Sequence, residues 1–360
     1  MRVAVAHEWL TNWAGSERVA RELVTVGEAD ELVASVVDPA FVGQYFSDVA
    51  VRALWTSRLP TATTHWSRFA LPMLAAWAST RIEADLLLVS SHFAAHGATV
   101  RFDGPSVVYY HTPARMLWRP DIELARLPKQ TRTAVEKTVL PALRAWDRRV
   151  AQHPTVMLGN STAVVERIAD AYGRAAEVLH PPVEVERWTA VQRREPEHFL
   201  WAGRLVAYKR PDLAVEAARL SGEQLVIVGS GPERGRLEPT APPNVRFVGH
   251  VPDDELHRLM GAAHALVFPG EEDFGIAPVE ALAAGTPVIA YGAGGALDYV
   301  EPEVNGLLCA EQDAAAFAGA MKEARTADWD TARVRRSAER FTVERHRAGL
   351  RDVIERTVAR

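Results

Sequence analysis

Short apolar runs rich in β-branched residues alternate with helix-like patterns along nearly the whole chain, and the alternation occurs in two stretches separated by one break. A strand covered by helices on both faces reads as a short continuous apolar run, so this pattern calls for parallel α/β layers. In the first stretch the predicted strands are Val3–Ala6, Leu32–Val37, Val49–Leu54, Leu86–Ser90, Val107–His111 and Val156–Gly159. Glu17–Val26 carries Val19, Leu23 and Val26 at the spacing of a core-facing helix, and Val164–Tyr172 follows the capping residues Asn160-Ser161-Thr162. In the second stretch the predicted strands are Phe199–Ala202, Leu225–Val228, Val245–Val248, Ala265–Phe268, Val288–Ala290 and Leu307–Cys309, with helices over Asp254–Ala263 and Pro278–Ala284 among those between. Two arginine-rich helical patterns, Ala332–Arg340 and Val343–Val358, close the chain.

The break is His180-Pro181-Pro182 followed by a charged stretch to Glu197 without a clear apolar period. Two successive prolines do not fit a central strand. The expected organisation is a Rossmann-like domain over 1–183, a linker over 184–197, a second Rossmann-like domain over 198–341, and a C-terminal helix over 342–360 that packs back toward the first domain. A length of 360 residues favours two such domains over one, and 48% hydrophobic residues supply two cores. Ligands of doubly wound sheets bind beyond the carboxyl ends of the strands, so the chemistry is expected there, in a cleft between facing domains.

The formal net charge of -5 argues against a general nucleic-acid binder. The single cysteine, Cys309, follows Gly306-Leu307-Leu308 and reads as a buried structural thiol. MRVAVAHEW reads as a strand rather than a signal peptide, and no apolar stretch approaches the ~20 residues of a spanning helix, so a cytoplasmic location is expected.

The stretch 269–300 is the richest in chemistry. A strand ends, Glu271, Glu272 and Asp273 occupy a loop, Phe274-Gly275 turns the chain, and a helix carries Glu280. The helix N-terminus offers unpaired N–H groups to an anion, Gly275 permits close backbone approach, and a carboxylate can hold vicinal hydroxyls of a sugar or ribose. Solvated loop acids are the plainer alternative. Arg204 and Lys209 both stand where the first strand of the second half opens into a helix, suited to a diphosphate, or else they are surface cations. Gly229-Ser230-Gly231 follows a strand and either admits phosphate or base or makes a tight turn. In the first half, Gly15 either lets the first loop approach a ligand or starts a helix. His111 ends a strand and faces the expected cleft or is structural, and His92 and His96 are weaker candidates of that type. No Gly-x-Gly-x-x-Gly follows an early strand, which disfavours a dehydrogenase.

These pieces together resemble the retaining glycosyltransferases of family 4, which have the GT-B fold. The resemblance rests on WAGSERV at 13–19, YYHTPARMLW at 109–118, NSTAVVERI at 160–168, HPPVEVERW at 180–188, AGRLVAYKRPD at 202–212, GSGPE at 229–233, FVGHVPDDEL at 247–256, and above all EEDFGIAPVEALAAGTPVIAYGAGG at 271–295. It implies that Arg204 and Lys209 hold the donor diphosphate as it leaves, that Glu272 binds hydroxyls of the transferred sugar, and that Glu280 accepts the ribose hydroxyls. Backbone at Phe274, Gly275 and Ile276 would line the sugar and phosphate pocket, Val251 would meet the base, and Gly15, Gly203 and Gly231 would belong to the donor site. His111 would lie near the transferred sugar. In such enzymes the diphosphate is thought to leave and the acceptor to attack on one face, with a phosphate oxygen taking the proton, so no cofactor, metal or dedicated base is implied. Asp328-Trp329-Asp330 is accordingly read as a surface turn.

Two departures stand out: Ala14-Gly15 where the family commonly has two glycines, and Asp298 where a glutamate is usual. The block at 271–295 together with His111-Thr112-Pro113 looks most like the mannosyltransferase branch, which suggests GDP-mannose as donor. The acceptor, whether saccharide, lipid-linked saccharide or small molecule, is not legible. A nucleotide-sugar epimerase on the same fold and a non-catalytic sugar-nucleotide-binding homologue are the alternatives. Residues 126–150 carry seven Lys/Arg against two acids, with Val135, Val139, Leu143, Trp146 and Val150 at helix-like intervals. They form either a peripheral contact with the inner membrane face or, preferred here, a helix with a core stripe and a basic solvated face.

Overall fold

The computed structural model describes residues 1–65, 69–123 and 128–359, and the chain divides into two compact units. The first comprises 1–181 with 346–360, and the second comprises 182–345.

In the first unit the described residues form a parallel sheet of β1 (Val3–Leu10), β2 (Glu31–Val37), β3 (Ala50–Ala53), β4 (Leu86–Ser91), β5 (Ser106–Tyr110), β6 (Val156–Gly159) and β7 (Glu177–Val178), in the order β3-β2-β1-β4-β5-β6-β7. In the second they form β8 (His198–Ala202), β9 (Leu225–Val228), β10 (Val245–Gly249), β11 (Ala263–Phe268), β12 (Val288–Tyr291) and β13 (Gly306–Cys309), in the order β10-β9-β8-β11-β12-β13. Both sheets are doubly wound, as expected. The order reverses between β1 and β4 in one and between β8 and β11 in the other, and such a reversal opens a crevice at the carboxyl ends of its two strands.

Each sheet is covered on both faces because its strands alternate with period two. Val3 and Val5 of β1 join one core with Val19, Leu23 and Val24 of helix Gly15–Gly27, while Ala4 and Ala6 join another with Met73, Trp77 and Ile168. In the second unit Phe199 and Trp201 of β8 face one core and Leu200 the other. Cys309 is buried there, and burial pushes its thiol up to about 12.

The structure differs from the sequence reading in several of its elements. β1 does not stop at Ala6: His7 and Glu8 continue it fully buried, because neighbouring strands and loops satisfy their polar atoms. Residues 184–197 carry helix Val185–Thr189, whose Val185 and Trp188 lie in the core of the second unit together with Val191, so an apolar period hidden among charges anchors this stretch. The segment 126–150 is two helices, Lys129–Thr138 and Leu140–Val150, with Arg126 and Leu127 outside the described residues. Leu140 is buried in the first unit's core, with Val135, Leu143 and Trp146 packed against it, so these stripe residues face inward. Val139, at the joint before Pro141, is exposed instead. No described helix is long and apolar enough to cross a membrane.

Helix Val343–Val358 places Leu350 and Val353 in the first unit's core, and Arg347 forks onto the Glu22 carboxylate at 2.6 and 3.1 Å. Asp330 caps helix Thr331–Ala338 by accepting from the N–H groups of Ala332 and Arg333.

The loop after β9 lies against the loop after β8. Gly203 N–H donates to Val228 O, Leu205 N–H to Ser230 O, and Glu233 N–H to Leu205 O, at 3.1, 2.8 and 3.1 Å. This lacing requires Gly229 and Gly231, whose φ angles are 123° and 154°, since a Cβ at either would overlap the carbonyl oxygen of Gly203 or Leu205. Gly229→Ala is therefore expected to cost about 2 kcal/mol or more through backbone strain and overlap, read as a lowered denaturant midpoint with cooperative unfolding retained.

Candidate functional site

The reversal of the second sheet brings together the loops after β8 and β11. The chain leaves β8 at Ala202, makes a 3-10 turn over Ala207–Lys209, and passes through Arg210, whose φ of 51° redirects it into helix Pro211–Ser221. Pro211 at the first turn suits that start, since its missing N–H would be unpaired anyway. Arg210 itself is taken up by Asp212 at 3.0–3.2 Å and by Gln312. Lys209 remains for the mouth.

Across the reversal the loop after β11 carries Glu272, and Glu272 Oε1 lies 2.6 Å from Lys209 Nζ, with the side chains only 15% and 18% exposed. Burial, the largest single effect, lowers the lysine's affinity for its proton, but the Glu272 charge, the Tyr208 charge and the Glu272 hydrogen bond together exceed it, and the Lys209 pKa is raised above the usual value. The charge of Arg204 acts on Lys209 in the opposite sense, which places this exposed arginine within electrostatic reach of the pair. Glu272 O in turn accepts from Gly295 N–H at 2.9 Å, so the loop after β12 is tied to the same place.

Beyond Glu272 the chain turns at buried Asp273, Phe274 and Gly275 into helix Ile276–Ala283. Gly275 is the N-cap with φ of 96°, and a Cβ there would sit 2.9 Å from Tyr299 Oη. The helix thereby begins four residues after Glu272, and its first N–H groups, which have no partner within the helix, favour anionic oxygens. Glu280 is half-buried on this helix, and Val251 follows β10 and packs against the same core. The structure thus joins Lys209 and Glu272 directly, places Arg204 near them, and sets Gly203, Phe274, Gly275 and Ile276 on the same loops. Gly231 has a packing role in the lacing of the loops after β8 and β9.

Tyr299 was not singled out by the sequence. It is fully buried, its Oη has no hydrogen-bond partner among the described residues, and burial raises its pKa well above the usual value, with the charges of Glu272 and Asp298 adding to the effect. An aromatic four residues after a Gly-Gly turn carries no signal of its own.

In the first unit the reversal lies between β1 and β4. His111 follows β5, and its Nε2 is 2.9 Å from Ser90 Oγ, while Asn160 Nδ2 donates to its carbonyl at 3.0 Å. Ser90 Oγ is also 3.0 Å from His7 Nδ1, and His7 Nε2 faces Glu17 Oε1 at 3.4 Å. Gly15 opens helix Gly15–Gly27, and Ala14 N–H donates to Glu17 Oε2 at 3.0 Å. His92 stacks edge-on against Trp9 at 4.5 Å, and burial, followed by the charges of His111, His7 and Arg115, pushes its pKa well below the usual value. His96 differs from the sequence expectation. It is buried and pairs with Asp147 at 3.0 Å inside the core, because Asp147 also needs the Trp118 Nε1 donor and is closed off from any opening. His7, Glu17 and Ser90, which this line of contacts joins to His111, were not singled out by the sequence, although two polar residues interrupting the first apolar run were a usable signal.

The family model described as glycosyl transferases group 1 matches residues 183–340. The chain is similar to the 2-deoxystreptamine glucosyltransferase of Streptomyces kanamyceticus, with 30% identity over 236 residues, 61% of this chain and 60% of the relative. It is 30% identical over 266 residues to the GDP-mannose-dependent alpha-(1-6)-phosphatidylinositol monomannoside mannosyltransferase of Mycobacterium tuberculosis, covering 59% of this chain and 69% of that protein. The match thus spans less than two thirds of the length of the first of these relatives. Among solved structures, Anabaena HepE in complex with UDP superposes with a TM-score of 0.70 at 16% identity, covering 99% of this chain and 100% of that one. Two parallel, Rossmann-like sheets with neighbours of this kind make the architecture GT-B.

Proposed function

The chain belongs to the glycosyl transferases group 1, and we propose that it transfers a hexose, with retention, from a nucleoside diphosphate donor to an acceptor hydroxyl. The observation that carries this reading is the Lys209–Glu272 ion pair at the reversal of the second sheet, beside the N-terminus of helix Ile276–Ala283. Breaking a sugar–phosphate bond leaves negative charge on the departing diphosphate, and preorganised cations in a site poor in water stabilise that charge most effectively. Lys209 supplies a point charge held cationic by Glu272, and Arg204 adds a planar set of donors. Once phosphate oxygens meet Lys209, Glu272 is released to accept sugar hydroxyls, while Glu280 takes the ribose. A phosphate oxygen accepts the acceptor's proton, so neither metal nor a protein base is required.

GDP-mannose is the proposed donor. The mannosyltransferase relative is described as GDP-mannose-dependent, and the block at 271–295 shares that branch's character. The HepE complexes, with UDP or UDP-glucose, make a uridine donor the natural comparison. A thermal-shift panel of GDP, UDP, ADP and dTDP decides between them, since a ligand at 100 times its Kd stabilises the folded state by about 2.7 kcal/mol. GDP is expected to raise the Tm most, and a larger shift with UDP overturns the guanine assignment.

Donor turnover, read as nucleoside diphosphate release in the presence of EDTA, tests the chemistry. Lys209→Ala is expected to lower kcat by about 10²–10³-fold, and Arg204→Ala by a smaller factor because that side chain is exposed. Glu272→Ala should reduce kcat more than nucleotide affinity, and Glu280→Ala the reverse. Near-normal turnover in both cation variants, with folding verified by melting, contradicts the assignment, and epimer formation from donor alone would replace transfer with isomerisation.

A further inference from the structure

Gln312 lies on the loop after β13, outside the stretches that suggested a donor site in the sequence, yet it reaches both loops that hold the Lys209–Glu272 pair. Its Oε1 accepts from Arg210 Nη1 at 3.3 Å, and its Nε2 donates to Pro269 O at 2.9 Å. Arg210 directly follows Lys209, and Pro269 begins the loop that carries Glu272. Helix packing puts Gln312 there. Asp313 caps helix Ala314–Thr326 by accepting from Ala316 N–H at 2.8 Å, so Gln312 stands just before the first turn. Helix Pro211–Ser221 has Arg210 as its N-cap, and its Ala214, Ala217 and Ala218 share one core with Phe317 and Met321. Further along, Ser221 Oγ meets Met321 Sδ at 3.9 Å, so the two helices run side by side with Arg210 and Gln312 at neighbouring starts.

The two partners also fix which way round the amide lies. A guanidinium only donates and a carbonyl oxygen only accepts, so the Gln312 oxygen must face Arg210 and its NH2 group must face Pro269. Arg210 sits at φ of 51°, a left-handed conformation that a residue with a side chain keeps only where its surroundings hold it. Asp212 and Gln312 grip its guanidinium from two sides. Next to Pro269, Gly270 packs so tightly on the other loop that a Cβ there would fall 2.7 Å from Lys209 Cα. The amide bridge and this backbone contact therefore act on the same pair of loops.

We propose that Gln312 is a positioning residue that sets the separation of Lys209 and Glu272 by tying Arg210 to Pro269 across the loops after β8 and β11. The catalytic consequence rests on the glycosyl-transfer reading, but the positioning does not. A cation stabilises a departing diphosphate best when it is already in place, and a displacement of about 1 Å can cost up to ~10²-fold in rate.

The chain has four lysines, so the ammonium of Lys209 can be followed directly by NMR in lysine-¹⁵N-labelled full-length protein. Its signal, assigned by its loss in Lys209→Arg, is expected to exchange with water more slowly than the other three, because Glu272 holds it in a largely dry contact. Gln312→Met, which keeps the length and removes both polar atoms, is expected to speed that exchange about tenfold, the worth of one hydrogen bond. Gln312→Glu keeps an acceptor for Arg210 but offers Pro269 O no donor, so it is expected to do the same, and it decides the matter if Gln312→Met does not fold. Unchanged exchange in a folded variant, or no protected Lys209 signal in wild type, overturns the proposal. Nucleoside diphosphate release from GDP-mannose and from UDP-glucose gives the functional half. Gln312→Met is expected to lower kcat about tenfold while the donor KM changes less than about threefold, since charge on the diphosphate grows as the bond breaks. In a Lys209→Ala background it is expected to add nothing, and a further loss there shows that Gln312 acts elsewhere and sinks the idea. If wild type turns over neither donor, the transfer reading fails, and the exchange measurement judges the positioning on its own.

Discussion

The 2.6 Å contact between Lys209 and Glu272 ties the loop after β8 to the loop after β11, the two strands that flank the reversal of the second sheet. Both side chains are largely withdrawn from water, where a lone charge costs several kcal/mol, so neither is tolerable without the other. The surrounding backbone holds them to this geometry. Gly270 lies so close to Lys209 that a Cβ there would fall 2.7 Å from the lysine Cα, and Gly295 N–H holds Glu272 O. Three loops from three strands thus converge on one ion pair, with the exposed Arg204 within electrostatic reach of Lys209. An anion arriving there meets cations whose positions are already set, which is the condition for electrostatic catalysis rather than mere binding.

In the first unit buried carboxylates accept from internal donors. Glu8 is fully buried at the carboxyl end of β1, and its Oε1 accepts from Ser91 Oγ and from the N–H groups of Phe93, Ala94 and Ala95 at 2.7–3.1 Å. One carboxylate therefore fixes the path of the loop after β4 and consumes donors that a ligand would otherwise find. Asp147 is likewise closed between His96 and Trp118. At the same reversal His7 and Ser90 join Glu17 to His111 through side-chain contacts of 2.9–3.4 Å.

The doubly wound sheets were legible because strand cores buried on both faces have a strong local signature: Val156–Gly159 and Leu225–Val228 sit where the apolar runs end. Lys209 and Glu272 were legible because strand-to-helix mouths carry ligands, and because the 271–295 block is dense in glycine and carboxylate. The less legible features depended on partners distant in sequence. His7 and Glu8 look like the end of a strand until Ser90 and the 93–95 backbone, more than 80 residues away, supply their hydrogen bonds. Trp188 reads as part of a charged linker until the core of the second unit is assembled around it. His96 looks like a cleft histidine until Asp147 takes it inward.

On the proposed mechanism the ion pair also explains why a catalytic lysine can wait in a partly dry site. Desolvation would otherwise strip its proton, and a neutral amine offers a departing diphosphate little. Glu272 prevents this by raising the lysine's proton affinity in the absence of donor. When phosphate oxygens replace the carboxylate as the counter-charge, the lysine keeps its proton through the exchange, since one anion hands over to another. The carboxylate then becomes an acceptor for sugar hydroxyls at the moment the donor is seated. Binding of the diphosphate and capture of the sugar are in this way a single exchange of partners, and a donor lacking either part would complete only half of it.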